Sequence, residues 1–260
     1  MHHWKPTASR TKVVHLLGEE PLSIRIQGKP YAVVMRTPGD EIPHAAGFCL
    51  SEGIVDTPQD FATLAVCEGE NANVVTVTLK PPRDTMAATL INRRGYISQT
   101  SCGICGKEVV ADLIQAIPPL HDNIILDIEK VADSLDALSD HQPLRETTKA
   151  SHVATLFTTE FKLLASAEDV GRHNALDKAI GKLFLNVTLS EATVLILSSR
   201  ISYEMVQKAG RAKISVILAK SRPTALAVSL ASELNLTLAC ASKETGILVF
   251  CGEHRLKGLM

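Results

Sequence analysis

From Ser151 onward the chain alternates short, uninterrupted apolar runs with stretches of helical periodicity, and this pattern narrows the possible folds more than any other feature. Val153–Phe157, Phe161–Ser166, Val194–Leu197, Ile214–Ala219, Leu236–Ala241 and Ile247–Cys251 read as strands. Strands without a polar side must be covered on both faces, as in sheets sandwiched by helices. The intervening segments supply those helices. Asn174–Phe184 carries Leu176, Ala179, Ile180, Leu183 and Phe184 on one face, Tyr203–Arg211 follows the next strand, and Pro223 opens a helix reaching Glu233. The expected fold class is therefore α/β, with a three-layer domain in the C-terminal part.

The N-terminal part has a different texture. Leu22–Ile26 and Tyr31–Met35 flank Gln27-Gly28-Lys29, a hairpin signal. Pro38-Gly39-Asp40 breaks the second strand, and Asp40 is placed to cap a helix extending to Glu52. Leu64–Cys67 and Val74–Leu79 read as further strands, and Arg83–Asn92, Lys107–Ile117 and Ile128–Leu138 as helices, with Pro118 and Pro119 stopping the second. The polar stretch His141–Lys149 reads as a connection between subdomains. A smaller, strand-rich α+β subdomain over 1–106 and an α/β domain over 107–260 are expected.

Composition closes several routes. At 45% hydrophobic and 21% charged residues the chain is globular rather than disordered. A formal net charge of −1 gives no global field for nucleic acid. No apolar run approaches the roughly 20 residues of a membrane span, and Met1–Arg10 lacks the apolar stretch of a signal peptide. A soluble, cytoplasmic protein without membrane or nucleic-acid partners is expected. Six cysteines are too few for a disulfide scaffold, and Cys49, Cys67, Cys240 and Cys251 sit singly as small core-type residues.

Cys102 and Cys105 differ, lying three apart in Ser101-Cys102-Gly103-Ile104-Cys105-Gly106-Lys107. Such a loop can bind metal, cycle a disulfide or carry sulfur. A helix beginning near Lys107, with the lysine's own charge, would lower a thiol pKa and favour the thiolate. A structural zinc needs four ligands, and no second Cys-x-x-Cys exists, so no metal is expected. Zinc-dependent base deamination needs His-x-Glu and Pro-Cys-x-x-Cys. None of the nine histidines has glutamate two residues on, and Ser101 precedes Cys102.

A second cluster is Glu168-Asp169-Val170-Gly171-Arg172-His173-Asn174, where a strand gives way to a helix whose amides, with Arg172, can receive an anion. His173 is either a proton donor or a hydrogen-bonded turn residue. Other strands end in Ser198-Ser199-Arg200, Lys220-Ser221-Arg222 and Ser242-Lys243-Glu244-Thr245-Gly246. Ligands of open α/β sheets bind beyond the carboxyl ends of strands, so three ends bearing cations and hydroxyls favour a phosphate-bearing ligand.

Several stretches together resemble the FdhD/NarQ family of formate dehydrogenase accessory sulfurtransferases. They are Met35-Arg36-Thr37-Pro38-Gly39-Asp40, Gly47-Phe48 with Leu50-Ser51-Glu52-Gly53, the Cys102–Lys107 loop, the fourteen residues Glu168–Gly181, and Ser202–Lys208. The resemblance implies a cytidine-deaminase-like α/β fold, usually as a homodimer. It also implies a sulfurtransferase that takes sulfur from a cysteine desulfurase as a cysteine persulfide and delivers it to the molybdenum bis(molybdopterin guanine dinucleotide) cofactor needed by formate dehydrogenase. On that basis Cys102 is the persulfide carrier and Cys105 its partner. The cofactor-binding stretch falls on Ala241, Ser242, Lys243, Glu244, Thr245 and Gly246; Arg172, Arg200 and Lys243 are expected to hold the guanine-nucleotide phosphates, with His173 also among the cofactor-binding residues. Two places depart from the family pattern. Lys149-Ala150-Ser151 precedes His152 where the family has a glycine pair, and Ala241, Lys243 and Gly246 stand where it has an aromatic residue and two arginines. Two other readings of the chain are a non-catalytic cofactor chaperone and a thiol-disulfide oxidoreductase.

Overall fold

The computed structural model describes residues 2–5, 8–11, 13–67, 73–85, 117–242 and 246–258, the side chains of residues 2–11 and of Ser242 excepted. Strands β1 (His2–Lys5) and β2 (Ala8–Thr11) form a two-stranded ribbon. β3 (Glu20–Ile26), β4 (Lys29–Arg36), β5 (Phe61–Val66) and β6 (Val74–Leu79) make a four-stranded sheet in the order β4-β3-β6-β5. The hairpin signal holds: Gln27 and Gly28, at φ 50° and 75°, join β3 to β4.

Helix α1 (Glu41–Ser51) lies against this sheet. Asp40 is its first flanking residue but does not cap it. The residue is left-handed (φ 59°), and its carboxylate takes Lys182 at 2.8 Å instead. The long-range ion pair wins over the local cap.

The second sheet has six strands, and the apolar runs of the sequence form it. β8 (His152–Phe157), β9 (Leu163–Asp169), β10 (Val194–Leu197), β11 (Val216–Ala219), β12 (Thr237–Ser242) and β13 (Gly246–Cys251) stand in the order β13-β12-β11-β10-β8-β9. β10, β11 and β12 are parallel, while β8 runs antiparallel to both β10 and β9. Between them come α4 (Arg172–Leu185), α5 (Tyr203–Arg211) and α6 (Ala225–Glu233); before them lie β7 (Leu126–Asp127), α2 (Ile128–Asp136) and α3 (Pro143–Thr148). The expected polar connection at 141–149 is thus largely the helix α3. Pro223 stands outside α6, and Thr224 caps that helix by accepting from Ala227 N at 3.3 Å.

Alternation along the strands divides the sheet's two faces. Leu156, Leu195, Leu197, Ile217 and Leu238 join the core that holds α4, α5, α6, α1 and the four-stranded sheet. Phe157, Val194, Ile196, Val216 and Leu218 join a second core with Val131, Leu135 and Leu138. Both faces are covered, as uninterrupted apolar strands require. The architecture is mixed α/β. Of the expected helices, residues 83–85 begin one and the rest of 83–92 lies outside the described residues, as does Lys107–Ile117 apart from Ile117. The boundary between 106 and 107 lies outside them too.

The two sheets meet through α1 and α4, whose backbones touch at two glycines. A Cβ on Gly181 would strike the Pro43 carbonyl and stand 2.9 Å from Gly47 N, and one on Gly47 would strike the Asp177 carbonyl. Alanine is the better helix former by about 1 kcal/mol. Gly181→Ala is nevertheless expected to lower stability by about 1–3 kcal/mol, because two backbones must separate. An unshifted urea midpoint would contradict the close approach.

Candidate functional site

The topology brings the sequence-predicted strand ends to one edge of the six-stranded sheet. Leu197, Ala219 and Cys240 are in register across β10, β11 and β12, and Leu197 faces Ala154, which in turn faces Ala167. The carboxyl ends of β9, β10, β11 and β12 and the start of β8 therefore share that edge. Helices α4 and α5 begin there, directly after β9 and β10.

At its β12 end stand Ala241 and Ser242, with Gly246 opening β13 opposite Ser242. Gly246 has φ +77° with open space around its Cα, so backbone conformation rather than room selects glycine there. Lys243, Glu244 and Thr245 lie outside the described residues, as do Cys102, Cys105 and Lys107. Buried Cys240 lies beside this end; burial pushes its thiol pKa up and the Arg222 charge opposes the shift. Cys49 is likewise buried, with a thiol pushed well above its usual range by burial, then by Glu52 and Asp177. Cys67 and Cys251 are partly buried.

In the middle of the edge, Ser198 Oγ accepts from Val153 N at 2.9 Å and Ser199 Oγ donates to Arg200 O at 3.1 Å. Arg200 is exposed. Lys220 pairs with Asp136 of α2 at 3.1 Å, which draws that cation toward the opposite face.

Arg172 and His173 open α4 at the β9 end. Four strand positions separate β9 from β12, on the order of 19 Å at the usual spacing. One phosphate group cannot touch both Arg172 and Ala241. The expected cofactor residues that are described, Arg172, His173, Arg200, Ala241, Ser242 and Gly246, thus share an edge but fall into separate clusters.

The β9 cluster includes residues that the sequence reading left aside. His173 Nε2 is 2.6 Å from Glu204 Oε2, in the first turn of α5. The contact with His173 holds the Glu204 carboxyl below its usual range against the effect of burial, and the charges of Lys208 and Arg172 add to this. His152 starts β8 beside them. Burial lowers its pKa, and the charges of Arg145, Arg172 and His173 lower it further. The signal for His152 was topological: a strand antiparallel to β10 begins where β10 ends. Glu204, thirty-one residues beyond His173, left no local trace.

Neighbouring acids have structural duties. Glu168 accepts from Leu144 N (2.7 Å), Arg145 N (2.9 Å) and Ser151 Oγ (2.6 Å), holding the start of α3. Asp169 is wholly buried and binds Lys178 at 2.7 Å. Asp177 accepts from Lys208 at 2.8 Å through each oxygen and from Ser51 Oγ at 2.9 Å. Among the described residues no three His, Cys, Asp or Glu side chains gather as a metal set. No described helix is long and apolar enough to cross a membrane.

A sequence model of the FdhD/NarQ family matches residues 17–257. The chain belongs to this family. It is 38% identical to the sulfur carrier protein FdhD of Streptomyces avermitilis, over 96% of this chain and 91% of that protein. Identity to the sulfur carrier protein FdhD of Xanthomonas euvesicatoria is also 38%, over 92% of this chain and 84% of the relative. The fold is similar to the crystal structure of a formate dehydrogenase accessory protein from Desulfotalea psychrophila, with a TM-score of 0.76 at 22% identity, covering 98% of this chain and 96% of that one. Much of what marks the FdhD/NarQ family here is buried in the contact between the two sheets: Arg36, Thr37, Gly47, Ser51, Asp169, Asn174, Asp177, Lys178 and Lys208.

Proposed function

We propose that the protein is a sulfur carrier that loads sulfur on Cys102 and delivers it to a molybdenum cofactor for formate dehydrogenase. The observation that carries this reading is the Cys102–Cys105 pair, which lies inside the span matched by the family of relatives named sulfur carrier proteins. The donor is a cysteine desulfurase. The Cys102 thiolate attacks the outer sulfur of the donor's persulfide, one S–S bond forms as another breaks, and the donor's cysteine leaves as thiolate. Lys107 stabilises the charged sulfur, and Cys105 is the partner thiol.

The acceptor, bis(molybdopterin guanine dinucleotide), is a substrate rather than a resident group. Its phosphates meet the sheet edge, where the β12–β13 loop (Ala241 to Gly246), Arg200, and Arg172 with His173 supply amides and cations. The separation of these clusters suits a long ligand better than a compact one. The protein works in the cytoplasm as a homodimer, beside the desulfurase and the maturing formate dehydrogenase.

Incubation with a desulfurase and cysteine should add about 32 Da, one sulfur atom, to the intact chain. Cys102→Ala should lose that adduct and the activation of formate dehydrogenase. Retention of both on Cys105 alone would sink the assignment of the carrier. A chain with both cysteines replaced that still activates the enzyme would be a chaperone, not a transferase.

A further inference from the structure

Two apolar surfaces in the N-terminal part of the chain stay open to water. One is the outer face of the four-stranded sheet at β4. Val33 is 64% exposed and Met35 51%, and across the β3–β4 pair they stand opposite Ser23 and Pro21. The face is open there rather than the strand edge, because Asn174 Nδ2 donates to the Met35 carbonyl at 2.7 Å. The other surface is the segment between β2 and β3, where Val13 is 87% exposed and Leu16 84%. Exposed apolar side chains grouped in this way mark a contact, whereas single ones are ordinary surface.

The exposed segment continues back into the ribbon of β1 and β2, whose strands pair only with each other among the described residues. A lone two-stranded ribbon is marginal in water and needs a surface to lie on. It does not lie on the patch of its own chain. The segment passes Pro38, whose Cδ is 3.5 Å from where a Cβ on Gly18 would stand, and Val33 and Met35 remain uncovered. Charge indicates what the ribbon meets instead. Residues 1–18 hold Lys5, Arg10 and Lys12 and no acid, a charge of +3; the whole chain is at −1, so the remainder carries −4. The patch itself has an acidic rim. Glu19 is exposed, and Glu20, beside Pro21, is 51% exposed and reaches Arg36 only at 3.9 Å. Arg25 and Lys29 lie toward the other end of the hairpin, so a basic arm is drawn to the Glu19–Glu20 end.

We propose that residues 1–18 form an exchanged arm. Each copy of the chain lays its ribbon and the Val13–Leu16 segment across the Val33–Met35 face of a second copy and receives the second copy's arm in return. A reciprocal contact of this kind is isologous and closes as a dimer. Apolar side chains of the arm cover apolar side chains of the patch, and its cations meet the acidic rim. The inference rests on the homodimer of the functional reading above and names the surfaces that make it.

Sedimentation equilibrium of the full chain should give a dimer. Leu16→Glu and Val33→Glu should each weaken it by about tenfold or more, because every change acts twice in a reciprocal contact. Both side chains are exposed in the single chain, so the far-UV circular dichroism of the two variants should match the wild type. A mixture of Leu16→Cys and Val33→Cys chains, treated with a short bis-maleimide, should yield a cross-link between positions 16 and 33 of different chains, identified by peptide mass. A monomeric wild type overturns the homodimer and the arm together. A dimer that neither glutamate substitution weakens overturns the arm alone. No cross-link in the mixture, with one formed inside the doubly substituted chain, would show the arm folded onto its own sheet and overturns the exchange.

Discussion

Asp169→Ala is expected to cost about 3–5 kcal/mol of folding stability, the range for breaking a buried ion pair from one side. Asp169 is 0% exposed and Lys178 2%, so neither charge has water to fall back on. All four acceptor positions of the carboxylate are in use. Oδ2 takes Thr37 N at 3.0 Å and Lys178 Nζ at 2.7 Å; Oδ1 takes Gly171 N and Asn174 Nδ2, each at 2.9 Å. Two of these donors come from the strand end that carries Arg172, and one comes from the N-terminal subdomain. Truncation therefore strands an ammonium and two backbone amides together. Asp169→Asn should be nearly as damaging, since its amide nitrogen would confront donors where the carboxylate accepted them. Lys178→Met should be milder, because the remaining carboxylate keeps three hydrogen bonds. Urea unfolding of the three variants tests this ordering. Equal, small losses would show that the carboxylate is not the clamp described.

The same residues show what the sequence made legible and what it hid. Short, β-branched-rich apolar runs such as Val194–Leu197, bounded by turn residues, read as strands covered on both faces, and the sheet follows from them. The Gln27–Gly28 turn was equally plain, because its left-handed backbone has a local composition signature. Strand ends were readable as a shared edge because parallel strands align their carboxyl termini. Pairings across the fold were not. Asp40 carries a capping residue's chemistry and binds Lys182 instead. Asp177 lies in a helix whose spacing says nothing of Lys208, thirty-one positions on. Local propensity cannot see a partner brought in by tertiary packing. For that reason the cluster Glu168–Asn174 reads in sequence as an anion site, whereas Glu168 holds the start of α3 and Asp169 and Asn174 tie the two sheets together.

That interface also predicts how the protein fails in acid. His44, in α1, is wholly buried. Burial first, then the charges of Lys178, Lys208 and Arg36, push its pKa down to about 3, while the Asn174 amide works the other way. The folded protein keeps this imidazole neutral across the range where an unfolded histidine, near 6.5, takes up a proton. Between those values the unfolded chain binds more protons, so stability rises with pH there; the contribution is complete above about 6.5 and is lost progressively as pH falls toward 3. At about pH 4.5 the loss from this one residue is about 2–3 kcal/mol. His44→Gln, which cannot titrate, should therefore lose less stability than the wild type between about pH 7.5 and 4.5, by about that amount. Urea unfolding at the two pH values provides the comparison. Parallel losses in both proteins would mean that His44 is hydrated or paired enough to titrate normally. A smaller loss in the variant would place the acid weakness of the fold at the contact of α1 with α4, next to the ion pairs of Asp169 and Asp177 that hold the two sheets in register.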